Sequence, residues 1–529
     1  MKHPFQVKSG WLLVLILIVG IFLRVHLLDT ESLWLDEASA ALAVTHYSSL
    51  EILKNSIFYG NITPGYFEGT LSDLPLYGLL LSLWVTVVGI SEFSLRLFSA
   101  LFGSLSILML FFVAKELVSR KAALLSILLF SLSIINIQYS QETRPYALMA
   151  FIALSSVYFF IKSFKTGKLV HLMLFALFTI LGLNTHFVFV FFVAFQGLYA
   201  LFMFKINPTH TKKVLISLFL TGLSYLLWIP RFFTQNTGAS GSFIGRPTLL
   251  GVAQVWFKFG GWIFPSAELL KNIRARNFLN IASLDWLLIV SAFLLVLFMT
   301  VFFILGAFNF LCNLSQRHGF SKHFGNLFNP SCLIENKWLL LLLLWFFVPL
   351  LLELSLSIFH PTATLFGPVR YLIFIFPAFI LLVSIGILRL KWRYSKIAIV
   401  LFVVFSILPL TSYYANVDKQ QWREAVSFIE DHIETGEIIL INGPTMKAPF
   451  DYYYGLSDAL YTTYNATHAA EIVADKESFW LVLSFDKYFD PRGTIRNYVE
   501  KEFLSDKEEN FFDIKVLHYN RKRFSTPES

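Results

Sequence analysis

The chain has 529 residues, 56% hydrophobic and 14% charged, with a formal net charge of +8 and a mean hydropathy of +0.65. Soluble domains carry about 25% charged residues, so this composition excludes a water-soluble enzyme and indicates a polytopic helical membrane protein. The basic excess is not a nucleic-acid footprint, because its Lys and Arg residues cluster at the ends of apolar runs, where they set topology. Two cysteines, Cys312 and Cys332, are too few for a disulfide framework.

Lys2 and Lys8 precede the first apolar run, Trp11–Leu28, and no small-residue cleavage site follows, so the N-terminus reads as an uncleaved signal-anchor. Just beyond that run stands Trp34-Leu35-Asp36-Glu37-Ala38. An ionisable group costs about 2.5–3.5 kcal/mol at mid-bilayer and less near the interface. Two carboxylates kept at such a boundary suit chemistry; the plainer alternative is an acidic helix cap.

Further basic clusters sit at Lys115–Lys121, Lys162–Lys168, Lys205–Lys213, Arg317–Lys322 and Arg389–Lys396. Taking each as cytoplasmic predicts eleven crossings: 11–28, 96–117, 121–138, 145–162, 169–186, 187–204, 214–231, 285–311, 337–356, 370–388 and 396–415. The N-terminus is then inside and residues 416–529 outside. Pro75–Ile90 is apolar too, but counting it as a crossing would invert every later loop. It is read as a re-entrant or interface-lying helix of the first external loop.

This topology gathers the uncommon polar groups on the external face. The first loop, about 29–95, holds Asp36, Glu37, His46, Glu68 and Asp73; a very short second loop holds Gln141-Glu142-Thr143-Arg144-Pro145-Tyr146. Asn184 and His186 occupy the turn between the fifth and sixth spans. Arg246, Lys258 and Arg276 lie in loop 232–284, and His360 precedes Arg370-Tyr371. Such a set suits an anionic, amphiphilic substrate, since a guanidinium can donate two hydrogen bonds to phosphate. Each residue also has a plainer role: Arg144 snorkelling to headgroups, Glu142 as its surface partner, His186 as an interface histidine, Arg370-Tyr371 as span-end anchors. The sequons at Asn61 and Asn465 are taken as chance. The chain has no Walker A, no GxGxxG after a strand, no HExxH and no CxxC, so a donor already in the membrane is expected for any transfer chemistry.

After the last span the charge density rises. Trp422, Val426, Ile429 and Ile433 have helical spacing, while Glu437–Asn442, Trp480–Ser484 and Asp513–Asn520 read as strands. The fold class expected is an all-α polytopic membrane domain, residues 1–415, followed by a small external α/β domain, 416–529. The run Tyr452-Tyr453-Tyr454 is expected in core or domain packing, with a sugar-stacking platform as the alternative.

Arg24, Trp34-Leu35-Asp36-Glu37-Ala38, Pro75-Leu76-Tyr77, Ser91-Glu92-Phe93-Ser94-Leu95-Arg96-Leu97, Gln141 to Leu148, Thr185-His186 and Arg370-Tyr371 with Pro377 stand in the order seen in a known family. The chain resembles the GT-C glycosyltransferases that use polyprenyl-phosphate sugars, in the branch of protein O-mannosyltransferases and lipid A aminoarabinose transferases. The likeness covers about the first 200 residues and 370–388; residues 205–365 match nothing usable. The double proline common before the Leu-Tyr element is here Leu74-Pro75.

The resemblance implies an external active site, a polyprenyl-phosphate monosaccharide donor, inversion at the sugar carbon, and Asp36 as general base. It makes Glu37, Glu142, Arg144, Tyr146, His186, Arg370 and Tyr371 candidate substrate-binding residues. No obligatory cofactor is expected; Glu142 and His186 would be the ligands of a divalent metal if one bound. The implied partners are the lipid-linked sugar, a glycan, lipid or protein acceptor, and membrane lipids, with no nucleic acid, in an inner (plasma) membrane of bacterial type. The competing readings are a transporter or flippase for a lipid-linked saccharide, and a ligase or polymerase using a pyrophosphate-linked oligosaccharide.

Overall fold

The computed structural model describes residues 10–58, 74–228, 247–261, 283–318, 330–359, 368–416, 419–463 and 465–522. Lys2, Lys8, Asn61, Glu68, Asp73, Arg246, Arg276 and His360 lie outside the described residues. The chain forms two compact units. One comprises 1–26, 71–77 and 96–416; the other comprises 27–70, 78–95 and 417–529.

The first unit is helical. Each run read as a crossing contains a helix, but hydropathy marks eleven and helix length supports fewer. Among the described residues six helices are long and apolar enough to cross a membrane: Glu92–Leu117, Tyr146–Thr166, Asp285–Phe308, Asn336–Phe359, Val369–Leu388 and Trp392–Ala415. A seventh span counts only if Arg120–Ser131 and Ile134–Ser140, bent by 64° at their junction, are taken together. Gly10–Val25, Pro75–Val88, Leu169–Leu183 and Phe189–Met203 are apolar but shorter. The first of these leaves Trp11, Leu15, Ile18 and Phe22 exposed, as expected of a helix that faces lipid.

The Phe376–Leu388 helix is the centre of this unit. It is apolar on all sides and almost wholly buried, the pattern of a helix surrounded by others. Its neighbours are held by polar ties that are scarce in a membrane and cheap to satisfy locally. Ser126 Oγ donates to Ser384 Oγ at 2.9 Å, and Trp345 Nε1 donates to the Phe374 carbonyl at 2.9 Å. A second buried cluster joins Ser156, Thr179 and Gln196, with oxygen–oxygen and nitrogen–oxygen distances of 3.0 and 2.9 Å. Where Ser283–His318 crosses the central helix, two glycines bring the backbones together. A Cβ on Gly306 would lie 2.0 Å from the Leu382 carbonyl oxygen, and one on Gly386 would lie 2.0 Å from that of Phe302.

The second unit contains a five-stranded mixed sheet: β1 (Ile438–Asn442), β2 (Leu460–Thr463), β3 (Ser478–Ser484), β4 (Phe503–Phe511) and β5 (Ile514–Arg521). The order is β2-β1-β3-β5-β4. β1 runs parallel to β2 and β3, whereas β5 is antiparallel to β3 and β4. Side chains alternate across the pleat. Ile439, Ile441, Trp480, Val482 and Val516 pack on one face with Trp422 and Ile429 of the Trp422–Glu430 helix. Leu440, Phe479, Leu481, Leu517 and Tyr519 pack on the other with Val499. The three predicted strands are present, and β2 and β4 are additional. β4 was not legible as a strand because its residues 504–510 are exposed and mostly charged or polar. Tyr453 and Tyr454 pack on the first core face, which favours the packing role expected for the tyrosine run. Asn465 of the second sequon caps the Ala466–Val473 helix, its side chain accepting from the Thr467 amide at 2.8 Å.

Because the Gly306/Gly386 crossing is backbone against backbone, no rotamer change can relieve an added methyl. Gly386→Ala should destabilise the protein by about 1–3 kcal/mol, read as a lowered melting temperature in detergent. Ser384→Ala, which removes one interhelical hydrogen bond, should cost about 0.6 kcal/mol.

Candidate functional site

The acidic pair belongs to the second unit. Trp34 is extended (φ −84°, ψ 173°) and leads into the Leu35–His46 helix, whose first turn carries Asp36 and Glu37. Carboxylates are favoured there by the helix dipole. The two differ in surroundings. Asp36 is half-buried, whereas Glu37 is fully buried and accepts from Lys419 Nζ at 3.0 Å. Removing one partner of such a pair leaves a buried charge uncompensated, typically at about 3–5 kcal/mol.

The segment before the pair is pinned from several directions. The Leu33 amide donates to the Tyr453 hydroxyl oxygen at 2.6 Å, and that hydroxyl donates to Glu92 Oε1. Arg423 pairs with Glu92 at 2.5 Å and donates to the Thr30 carbonyl at 3.0 Å. Ser32 Oγ donates to Glu424 Oε2 at 2.9 Å. Lys419 and Arg423 escaped the sequence reading because they lie more than 350 residues from the segment they hold. His46 is exposed at the helix end, its Nδ1 3.2 Å from the Leu42 carbonyl.

The first unit brings together Glu142, Arg144, Tyr146, His186, Arg370 and Tyr371. Arg144 and Arg370 approach the Tyr146 ring with guanidinium carbons 5.8 and 5.9 Å from its centroid, and Arg370 is 5.6 Å from the Tyr371 ring. His186 lies against both tyrosines, with centroids 6.0 Å from Tyr146 and 5.1 Å from Tyr371. Tyr139 completes the aromatic wall at 5.4 Å from Tyr146. Glu142, Arg144, Tyr146 and His186 are all buried. These are not headgroup anchors on a solvated rim.

Several local bonds set this geometry. The Arg144 amide donates to the Glu142 carbonyl at 2.8 Å, closing a tight turn. The Arg144 carbonyl accepts from Ser99 Oγ at 3.3 Å, and Ser99 in turn meets the Tyr77 hydroxyl at 2.9 Å. Asn184 is structural: its side-chain oxygen accepts from Trp228 Nε1 at 3.1 Å, and its carbonyl accepts from the Leu76 amide at 3.2 Å.

Lys258, on the Leu249–Phe259 helix, is a further member. Burial and Arg370 lower its ammonium pKa from the usual value, against the pull of Glu142. Lys258 and Arg370 thus act around one carboxylate. Burial first, then Arg144 and Arg370, push His186 down to about 3, so its imidazole is neutral at physiological pH. Among the described residues no three His, Cys, Asp or Glu side chains cluster as a metal site would require. What the arrangement can do is hold an anion beside aromatic faces.

The sequence profile of the family described as dolichyl-phosphate-mannose-protein mannosyltransferase matches residues 72–231. No curated protein matches the chain in sequence. Among solved structures, ArnT from Cupriavidus metallidurans in the apo state superposes with a TM-score of 0.56 at 11% identity, over 97% of this chain and 98% of that one. The same protein bound to undecaprenyl phosphate gives 0.54 at 12% identity, over 97% and 98%. The Archaeoglobus fulgidus oligosaccharyltransferase tethered with an acceptor peptide gives 0.52 at 12% identity, over 99% of this chain and 75% of that one.

His186 makes stability depend on pH. Its folded-state pKa is depressed below the usual 6.5, so the denatured chain takes up the proton first as pH falls. The stability of the neutral form is therefore complete above pH 6.5 and declines from there towards pH 3. Between about pH 7.5 and pH 5 this group should cost wild type about 2 kcal/mol. His186→Gln should show a flatter acid dependence in melts followed across that range.

Structure and profile together bear out the likeness read from the motifs: this chain has the fold of the GT-C membrane glycosyltransferases, and residues 72–231 carry the sequence pattern of their mannosyltransferase family.

Proposed function

We propose that the protein transfers a monosaccharide from a polyprenyl-phosphate carrier to an acceptor hydroxyl at the external membrane face, with inversion. The observation that carries this reading is the pairing of a buried Arg144 with a half-buried Arg370 beside Tyr146 and a neutral His186. Two guanidiniums against aromatic faces suit a lipid phosphate monoester. ArnT, whose fold this chain shares, has been solved with undecaprenyl phosphate.

In this mechanism the acceptor oxygen attacks the anomeric carbon as the bond from that carbon to the phosphate oxygen breaks. The bonding electrons leave on the phosphate, and the hydroxyl proton passes to the Asp36 carboxylate. Arg144 and Arg370 stabilise the charge growing on the leaving group, with Lys258 adding to the local positive potential. A phosphate leaves readily as an anion, so no separate general acid is assigned. Tyr146 and Tyr371 line the donor side. Glu142 orients Lys258 and the arginines. Glu37, buried against Lys419, supports the loop that presents Asp36. The membrane would be a bacterial inner membrane, with the N-terminus cytoplasmic and the C-terminal domain external.

The decisive experiment compares cell-envelope glycans by mass spectrometry with and without the gene, then follows the purified protein in detergent. A transferase releases free polyprenyl phosphate and a glycosylated product there. A flippase needs a sealed bilayer and leaves its substrate unchanged, and that outcome would overturn the reading. Asp36→Asn should fold and bind donor yet lose about 10²–10⁴-fold in turnover; a loss below about tenfold would remove Asp36 from the base role. Arg144→Lys keeps the charge but not the fork and should weaken donor binding. Unchanged donor affinity in Arg144→Ala would reduce Arg144 to a structural cation. A periplasm-dependent reporter should be active when fused at Ser140 or Ser529 and silent at Lys165.

A further inference from the structure

Arg24 lies on the first helix, Gly10–Val25, and is fully buried. A guanidinium within a membrane helix is costly, and the reaction outlined above makes no use of it. Its surroundings explain where it is spent. Nη1 donates to the Gly20 carbonyl at 2.8 Å and to that of Ser131 at 3.4 Å, and Nη2 donates to the Phe130 carbonyl at 3.4 Å. Phe130 and Ser131 end the Arg120–Ser131 helix, at the junction where the chain bends by 64°. The last carbonyls of a helix lack intrahelical donors and carry partial negative charge. Arg24 therefore caps a span broken inside the protein.

The far end of the break is capped in return. Beyond the bend comes the seven-residue helix Ile134–Ser140, about 10 Å long at 1.5 Å per residue, and then Gln141. Gln141 Nε2 points back to the first helix, 2.7 Å from the His26 carbonyl and 3.3 and 3.4 Å from those of Leu23 and Arg24. Its Oε1 accepts from the Tyr413 hydroxyl at 2.8 Å, while the Tyr414 hydroxyl donates to the Leu23 carbonyl. Close approach is built in. A Cβ on Gly103 would meet Ser140 Oγ at 2.0 Å, and one on Gly20 would meet Ser131 Oγ at 2.8 Å. The short helix is thus clamped at both ends, and the next residues are Glu142 and Arg144.

We infer that Arg24 is a positioning residue, which fixes Arg144 for phosphate binding by clamping the Ile134–Ser140 helix against the first helix. This rests on the reading of Arg144 as a phosphate ligand. The test uses the full-length protein in detergent, with undecaprenyl phosphate as probe, and a melting curve for each variant without lipid. Arg24→Met should weaken binding by about tenfold or more, and Arg24→Lys should recover part of the loss. In an Arg144→Ala background, Arg24→Met should add less than about twofold, because the two residues act as one unit.

If the losses multiply instead, or if folded Arg24→Met binds like wild type, Arg24 is only a stabilising cap and the inference fails. Should Arg24→Met not fold, Gln141→Ala probes the other end of the clamp and must show the same coupling to Arg144. If wild type and Arg144→Ala bind the lipid equally, the phosphate reading falls and takes this inference with it. If Arg144→Ala loses binding while Arg24→Met does not, only this inference falls.

Discussion

A guanidinium shut away from water has to be met by oxygen atoms or aromatic faces wherever it points, and the first unit is organised around that demand. Arg24 and Arg144 are both buried in it. Arg24 is met by backbone carbonyls released where a helix breaks; Arg144 and Arg370 are met by the Tyr146 face. The first solution is closed, both terminal nitrogens being turned towards fixed backbone. The second is an arrangement of like charges, which repel unless an anion lies among them. Glu142 supplies one negative charge, and burial, ahead of any neighbouring charge, depresses Lys258 and His186. An anion placed among these guanidiniums would be attracted, and burial would strengthen the attraction by lowering the effective dielectric.

The second unit solves a different problem. A short loop that ends in an acidic pair has few apolar contacts of its own to hold it. Here residues 27–58 and 78–95 share a compact unit with the C-terminal sheet, and Leu35 packs on that sheet's core alongside Tyr453 and Tyr454. Arg423, with its several acceptors, gathers Asp29, Thr30, Glu92 and Glu424. The C-terminal domain thereby acquires a role that its composition alone did not suggest: it is scaffold for the acidic loop.

Much of this was legible from residue types. Apolar runs marked the helices, since an 18-residue apolar stretch has few alternatives to a membrane helix. Rare polar residues within such a background marked Glu142, Arg144, His186 and Arg370, which do converge. The bend at Leu132–Ser133 was not legible, because hydropathy averages over a window and is blind to backbone direction. Lys258 stood in a region without a recognisable pattern, and its place beside Glu142 is a matter of tertiary packing. The same limit hid Lys419 from Glu37, 382 residues apart in sequence. Strand β4 was invisible for a chemical reason, its outward residues being Asp506, Lys507, Glu508 and Glu509.

Those four charges have a further consequence. β4 is the last strand of the sheet, and its ladder with β5 is interrupted by a register shift between Ser505 and Lys507. An incoming strand from another molecule would have to desolvate a row of mixed charges along a kinked template, which opposes edge-to-edge pairing. At the opposite end stands β2, only four residues long, a poor seed for sheet growth. At the high local concentration that confinement to a membrane surface creates, the domain is thereby protected from polymerising through its own hydrogen-bonding edges.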